Sequence, residues 1–235
     1  MAEDTLNAAT AAAVEDEIEA GSRQSTYETV GERLGKYDVY MANAADPAVA
    51  PRLAAFGYDE SKITAGRELV EAARAADAAN AREYGEQYAA TEKVEKEFVE
   101  ASKPYMVSLG VARIAFRKDA EARKALVLKG TRSRSLPEWT RDAELFYRNA
   151  FATPPFLSRL AEFGRTRDIL DAEYKEVKDV AAALAAQTKE MGEAVQSTKA
   201  RDEKMAELDE WMLEFAGIAR IALADSPDLQ QKLAL

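Results

Sequence analysis

Arg113 and Arg220 are the residues of this chain best placed to meet an anion. Each stands between Ala and Ile in a G-x-A-R-I-A block, at Gly110–Ala115 and Gly217–Ala222. A guanidinium among apolar neighbours has two uses. It can take a ligand carboxylate or phosphate, or it can lock a bundle by bonding helix-end carbonyls or a carboxylate such as Glu100 or Glu207. The locking role is the commoner one. More positive charge lies nearby. Residues 101–135 hold Lys103, Arg113, Arg117, Lys118, Arg123, Lys124, Lys129, Arg132 and Arg134 against Asp119 and Glu121, so +9 − 2 = +7, and the rest of the chain carries −17. Such a patch suits a phosphate-rich ligand or an acidic partner, although a solvated linker facing acidic neighbours would look the same.

The acidic side is weaker. Glu83, Glu86, Glu190 and Glu193 would suit Mg²⁺ or Ca²⁺ as oxygen donors. No EF-hand spacing accompanies them, and glutamates on long helices normally form a solvated face, so neither a metal nor a cofactor is expected. Tyr84, Tyr88, Tyr105, Tyr147 and Tyr174 read as packing residues.

Absences narrow the chemistry. There is no Cys and no His. Thiolate nucleophiles, zinc hydrolases, His-containing triads and Glu-x-x-His di-iron sites are excluded or lack their usual ligand. No P-loop, G-x-G-x-x-G or G-x-S-x-G motif occurs. An enzyme would have to work with Asp, Glu, Lys, Tyr and Arg, and the balance leans away from catalysis. A net charge of −10 disfavours general nucleic-acid binding. No apolar run is long enough to span a membrane. The acidic start lacks the pattern of a secretory signal, so the expected compartment is the cytoplasm.

The elements that position these residues come from a repeat. Ser108–Leu128 recurs as Phe215–Leu235, and 220 − 113 = 107. The RLAxFG block at 52–57 recurs at 159–164 with the same offset, as do Gly85-Glu86 at Gly192-Glu193 and Thr91 at Thr198. Aligning 45–128 on 152–235 without a gap gives 25 identities in 84 positions, of which 16 are not Ala. A fixed-period self-match is the mark of a duplicated structural unit. Two copies in one chain are expected to pack about a pseudo-two-fold axis.

Strand alternation and hairpin turns are missing, and the composition favours helix. The expected fold is all-α: a tandem duplication of a unit of about 107 residues whose long helices pack antiparallel, with the short helices of both copies forming a bundle at each end. The division is 1–24 (helical or frayed), 25–128 (first unit), 129–135 (basic linker) and 136–235 (second unit). Ser25-Thr26 is expected to cap the first helix, and Asp59 the next. Gly57 is a natural C′ residue.

Apolar residues recur every seven positions at Ile63, Val70, Tyr84, Phe98 and Tyr105, and at Leu170, Val177, Leu184, Met191, Met205 and Met212. That spacing predicts coiled-coil-like seams, interrupted by Asp77 and two threonines. A helix from about 167 to 216 would span roughly 75 Å. Pro104, where the second copy has Trp211, predicts a kink or break in the first copy alone. Gly85 and Gly192 lie mid-helix in both copies, which points to a close crossing of the two helices there.

The paired ARIA blocks, the paired leucines and the basic linker before Ser135-Leu136 and Trp139 resemble a set of uncharacterised bacterial two-repeat helical proteins. The resemblance covers the chain from about residue 40. It implies a duplicated helical fold and carries no function. The expected role is a non-enzymatic scaffold or adaptor acting through protein contacts, self-association included. The alternative is a bundle that binds a small ligand or phosphate through Arg113, Arg220 or the 117–134 patch.

Overall fold

A computed structural model describes residues 28–233. The expected N-terminal segment and the Ser25-Thr26 cap lie outside that range. Eight helices are present among the described residues, with no strand: α1 (Val30–Ala44), α2 (Ala50–Ala54), α3 (Glu60–Ala115), α4 (Ala120–Ala125), α5 (Leu136–Ala152), α6 (Pro154–Ala161), α7 (Arg167–Ala222) and α8 (Pro227–Lys232). The fold is all-α. No helix of these residues is long and apolar enough to cross a membrane.

Local chemistry sets most boundaries. Thr29 caps α1, accepting from the Glu32 amide while the Glu32 carboxylate accepts from the Thr29 amide. Asp59 accepts from the amide of Lys62 ahead of α3, and Asp119 from that of Ala122 at the start of α4. Prolines sit at the first positions of α2, α5, α6 and α8. Gly57 and Gly164 take φ of +84° and +76°. At each, the next residue's amide returns to a leucine carbonyl, Tyr58 to Leu53 and Arg165 to Leu160, closing the preceding turn.

The two long helices have 56 residues each and begin 167 − 60 = 107 positions apart. Both run unbroken through their central glycines. Of the kink or break expected at Pro104, the break does not occur. Proline removes one backbone bond, but Ala101 and Tyr105 on either side are 1 % and 0 % exposed, so packing holds the helix through it.

The chain divides into two compact units. Unit 1 takes the described residues up to Asp77 and those from Glu203 onward; unit 2 is Ala78–Asp202. In unit 1, α1, α2 and α8 close a core around Leu34, Met41, Leu53, Tyr58, Met212 and Phe215. Gly66 is its tightest point: a Cβ there would lie 2.3 Å from the Trp211 ring, so only glycine lets that indole lie flat against the helix. Trp211 stacks on Phe215 at 5.4 Å, and Tyr58 meets both edge-on.

In unit 2, α4, α5 and α6 enclose a core around Tyr105, Leu109, Trp139, Phe146, Tyr147 and Leu170. Its two long-helix segments run antiparallel. Asn80 Nδ2 donates to Thr198 Oγ1 at 3.0 Å, and Gln187 Nε2 to Thr91 Oγ1 at 3.1 Å. The seven-residue seam holds at Ile63, Val70 and Tyr105 and at Leu170, Val177, Met205 and Met212, but Tyr84 and Met191 leave it. A straight helix repeats every 3.6 residues and drifts off a strict seven.

Candidate functional site

The basic stretch resolves into side chains that hold their own loop and side chains that do not. Arg113 Nε donates to the Leu128 carbonyl at 2.9 Å, and its Nη2 to that of Gly130 at 2.6 Å. Arg132 turns inward. Its side chain is 6 % exposed, pairs with Asp142 at 3.1 Å and also bonds the Val127 carbonyl. Val127 has φ of +50°, a costly left-handed setting for a β-branched residue. The two arginines thus clamp the turn that follows α4. Arg220 is exposed. The residue corresponding to Leu128, Leu235, lies outside the described range. Arg123 is half-buried, and Lys124 and Arg134 are exposed.

Arg117 and Lys118 do converge. With Phe116, Pro155, Phe156 and Arg159 they line a groove of about 500 Å³ in unit 2. Arg159 pairs with Glu162 and lies 5.0 Å from the centre of the Phe163 ring. The corresponding place in unit 1 is filled. There Arg52, 107 residues before Arg159, pairs with Asp225 at 2.5 Å and donates to Ser226 Oγ at 2.8 Å. Asp225 corresponds to Lys118. Arg52 of unit 1 takes its carboxylate from Asp225, whereas Arg159 of unit 2 takes one from Glu162, and the groove gains Lys118 beside Asp119.

Unit 2 also contains a buried polar cluster that sequence reasoning missed. Glu173 is 5 % exposed. Its carboxylate accepts from Ser108 Oγ at 2.5 Å and from the Tyr147 hydroxyl at 3.0 Å, and it pairs with Arg165. Arg165 Nε donates in turn to Ser108 Oγ at 2.9 Å. Burial raises the pKa of Glu173 above the ordinary carboxylate value, against the pull of Ser108, Arg165 and Tyr147. Burial first, and then the Glu173 charge, push the Tyr147 hydroxyl up. Nearby, the Tyr105 hydroxyl is buried without a partner and is raised by burial to about 12. With all its neighbours engaged, Glu173 acts on packing rather than on a ligand. The signal was available: Glu173, Arg165 and Ser108 stand where the other copy has Gly66, Tyr58 and Phe215, three polar-for-apolar differences at core positions.

Glu83, Glu86 and Glu190 bring carboxylate oxygens within 4.8 Å of one another. Glu86 is exposed, while Glu83 and Glu190 are half-buried and Glu190 Oε2 is buried without a hydrogen-bond partner; Lys189 lies 3.5 Å from Glu190 and bonds Glu193 at 2.8 Å.

The crossing expected at Gly85 and Gly192 is not there. A Cβ at either would meet nothing within 4 Å, and both are exposed, so neither makes room for a neighbouring helix of its own chain. The packing role expected of Tyr105 and Tyr147 is met, since both are 0 % exposed, but Tyr84 and Tyr88 are 43 % and 72 % exposed. Comparison with protein-family models, curated proteins and solved structures returns no match.

Proposed function

We propose that this chain is a duplicated helical scaffold that works by contact with other proteins in the cytoplasm. The observation that carries the reading is the set of large apolar side chains left outside the cores at matching positions of the two long helices. Met106 and Leu213 are 46 % and 77 % exposed, and Ile114 and Ile221 are 66 % and 60 % exposed. Each pair is separated by 107 residues. Exposed apolar surface that recurs in register is expected of a contact surface. Duplication about a pseudo-two-fold is supported by bonds that repeat with the sequence. Asn80–Thr198 and Gln187–Thr91 exchange roles at an offset of 107.

The test is photocrosslinking from positions 106, 114, 213 and 221 in cells, with position 103 as a polar control. Discrete adducts above the control are expected. Their absence at all four positions removes the reading.

One observation favours a second role for the groove at Arg117, Lys118 and Arg159. Where Asp225 bonds Arg52 in unit 1, Lys118 in unit 2 adds a cation beside Arg117 and Arg159, and an anion from outside, phosphate or the acidic side chain of a peptide, would be held among these three next to the carboxylates of Asp119 and Glu162. Inorganic phosphate or an oligoglutamate peptide should raise the melting temperature, and Lys118→Asp should abolish the shift by supplying the carboxylate in place. A Lys118→Asp chain that responds as the parent does removes this role.

A further inference from the structure

We propose that the middle of unit 2 is the docking face for a second copy of this chain. Tyr84, Tyr88, Met191 and Val195 are 43 %, 72 %, 50 % and 71 % exposed. The register set by Asn80 with Thr198 and by Thr91 with Gln187, 80 + 198 = 91 + 187 = 278, places Tyr84 and Tyr88 within one residue of the levels of Val195 and Met191. At 100° per residue, each tyrosine pair lies roughly 50° past the residues of α3 that bond α7. Met191 and Val195 lie the same angle, in the same rotational sense, past the residues of α7 that bond α3. In an antiparallel pair, equal rotation in one sense carries both sets to the same side. The four side chains therefore form one patch.

Two further features favour a second copy as the occupant. Tyr84 and Met191, like Tyr88 and Val195, are 107 residues apart, so the patch presents matching sites on both helices. A patch of that kind is suited to the isologous contact of a two-fold dimer. Gly85 and Gly192 lie beside it, exposed and with nothing within 4 Å of a Cβ. Each weakens a continuous 56-residue helix by up to about 1 kcal/mol with no packing gain from a neighbour of its own unit. A helix from outside would gain a close approach at both. The area is sufficient but small. The four side chains cover only about 6 Å of helix rise; with flanking residues included, two helices about 20 Å wide over about 25 Å of length give roughly 500 Å² per copy, near the lower limit for a specific interface. The dimer is accordingly reversible.

This inference rests on the scaffold reading and names its first partner. Light scattering in line with gel filtration on the full chain, over a rising concentration series, tests it. The mass should climb from one chain of 25.8 kDa toward two. The double variant Tyr88→Lys with Val195→Lys should stay at one chain throughout, with an unchanged helical signal because both side chains are exposed. Gly85→Leu with Gly192→Leu should do the same through steric bulk, while helix propensity holds or improves. A parent chain that stays monomeric overturns the proposal, as does a dimer that survives both double variants. Neither outcome touches positions 106, 114, 213 and 221, on which the scaffold reading has its own test.

Discussion

Where unit 1 lays Trp211 and Phe215 over Gly66, unit 2 sets Pro104, Ser108 and the buried carboxylate of Glu173. Tyr58 of unit 1, whose hydroxyl reaches Glu214 at 2.8 Å, gives way to Arg165 in unit 2. The helix ends nearby are closed by the same Gly57 and Gly164 turns, so the backbone does not dictate the difference. One core gains from apolar area and aromatic stacking. The other takes an ion pair out of water and surrounds its carboxylate with donors from Ser108, Tyr147 and Arg165, while the Tyr105 hydroxyl nearby stays unpaired. The comparison teaches that this helical frame accepts either solution, provided each is complete: a glycine needs its indole, and a carboxylate needs its arginine, serine and tyrosine.

The largest effect should come from making the polar solution incomplete. Glu173→Ala strands Arg165 and the Tyr147 hydroxyl and should cost about 3–5 kcal/mol by urea denaturation. Glu173→Leu combined with Arg165→Leu removes both charges and should recover most of that loss. A Glu173→Ala chain within about 1 kcal/mol of the parent would mean the cluster is not coupled. Next comes the aromatic solution. Gly66→Ala drives a methyl into Trp211 and should cost about 1–3 kcal/mol. Gly85→Ala and Gly192→Ala, set in open space, should each change the stability of the single chain in the opposite direction, by up to about 1 kcal/mol. Equal effects at all three glycines would erase the distinction.

The smallest effect is in pH. Glu173 and Glu176 of unit 2 are raised, both mainly by burial. Their contribution is full below the ordinary carboxylate range and is lost as pH rises through the folded values. In unit 1, Lys232 lowers Asp46, Lys62 lowers Glu214 and Arg52 lowers Asp225. Their contribution is present above the ordinary range and is lost as pH falls through the folded values. These three pairs are exposed, so the change is slight. Amide exchange followed across the acid range should show unit 1 loosening with acid and unit 2 gaining protection. Parallel behaviour in both units would contradict the assigned shifts.

Much of the frame was legible in the residues. The two long helices, the cap at Asp59 and the turn at Gly57 follow from capping, φ restriction and periodicity, which act within a few residues. Arg113 as a lock on carbonyls was foreseen among its two uses. The residues alone point to a kink or break at Pro104, a crossing at Gly85 and Gly192 and packing for Tyr84 and Tyr88; the helix is not broken, and neither the crossing nor the burial of these tyrosines is found, because each depends on what lies alongside.

The sequence by itself determined that this chain is helical, where most of its helices start and stop, and that its two halves repeat at an interval of 107. These are local properties, or properties of the string. Only the tertiary structure decided which glycine faces an indole and which faces water, which glutamate is buried, and which arginines turn inward to hold a loop. Burial and ion pairing depend on residues far apart in the chain, such as Gly66 and Trp211 or Ser108 and Glu173, and their energies appear only once packing has removed the water between them.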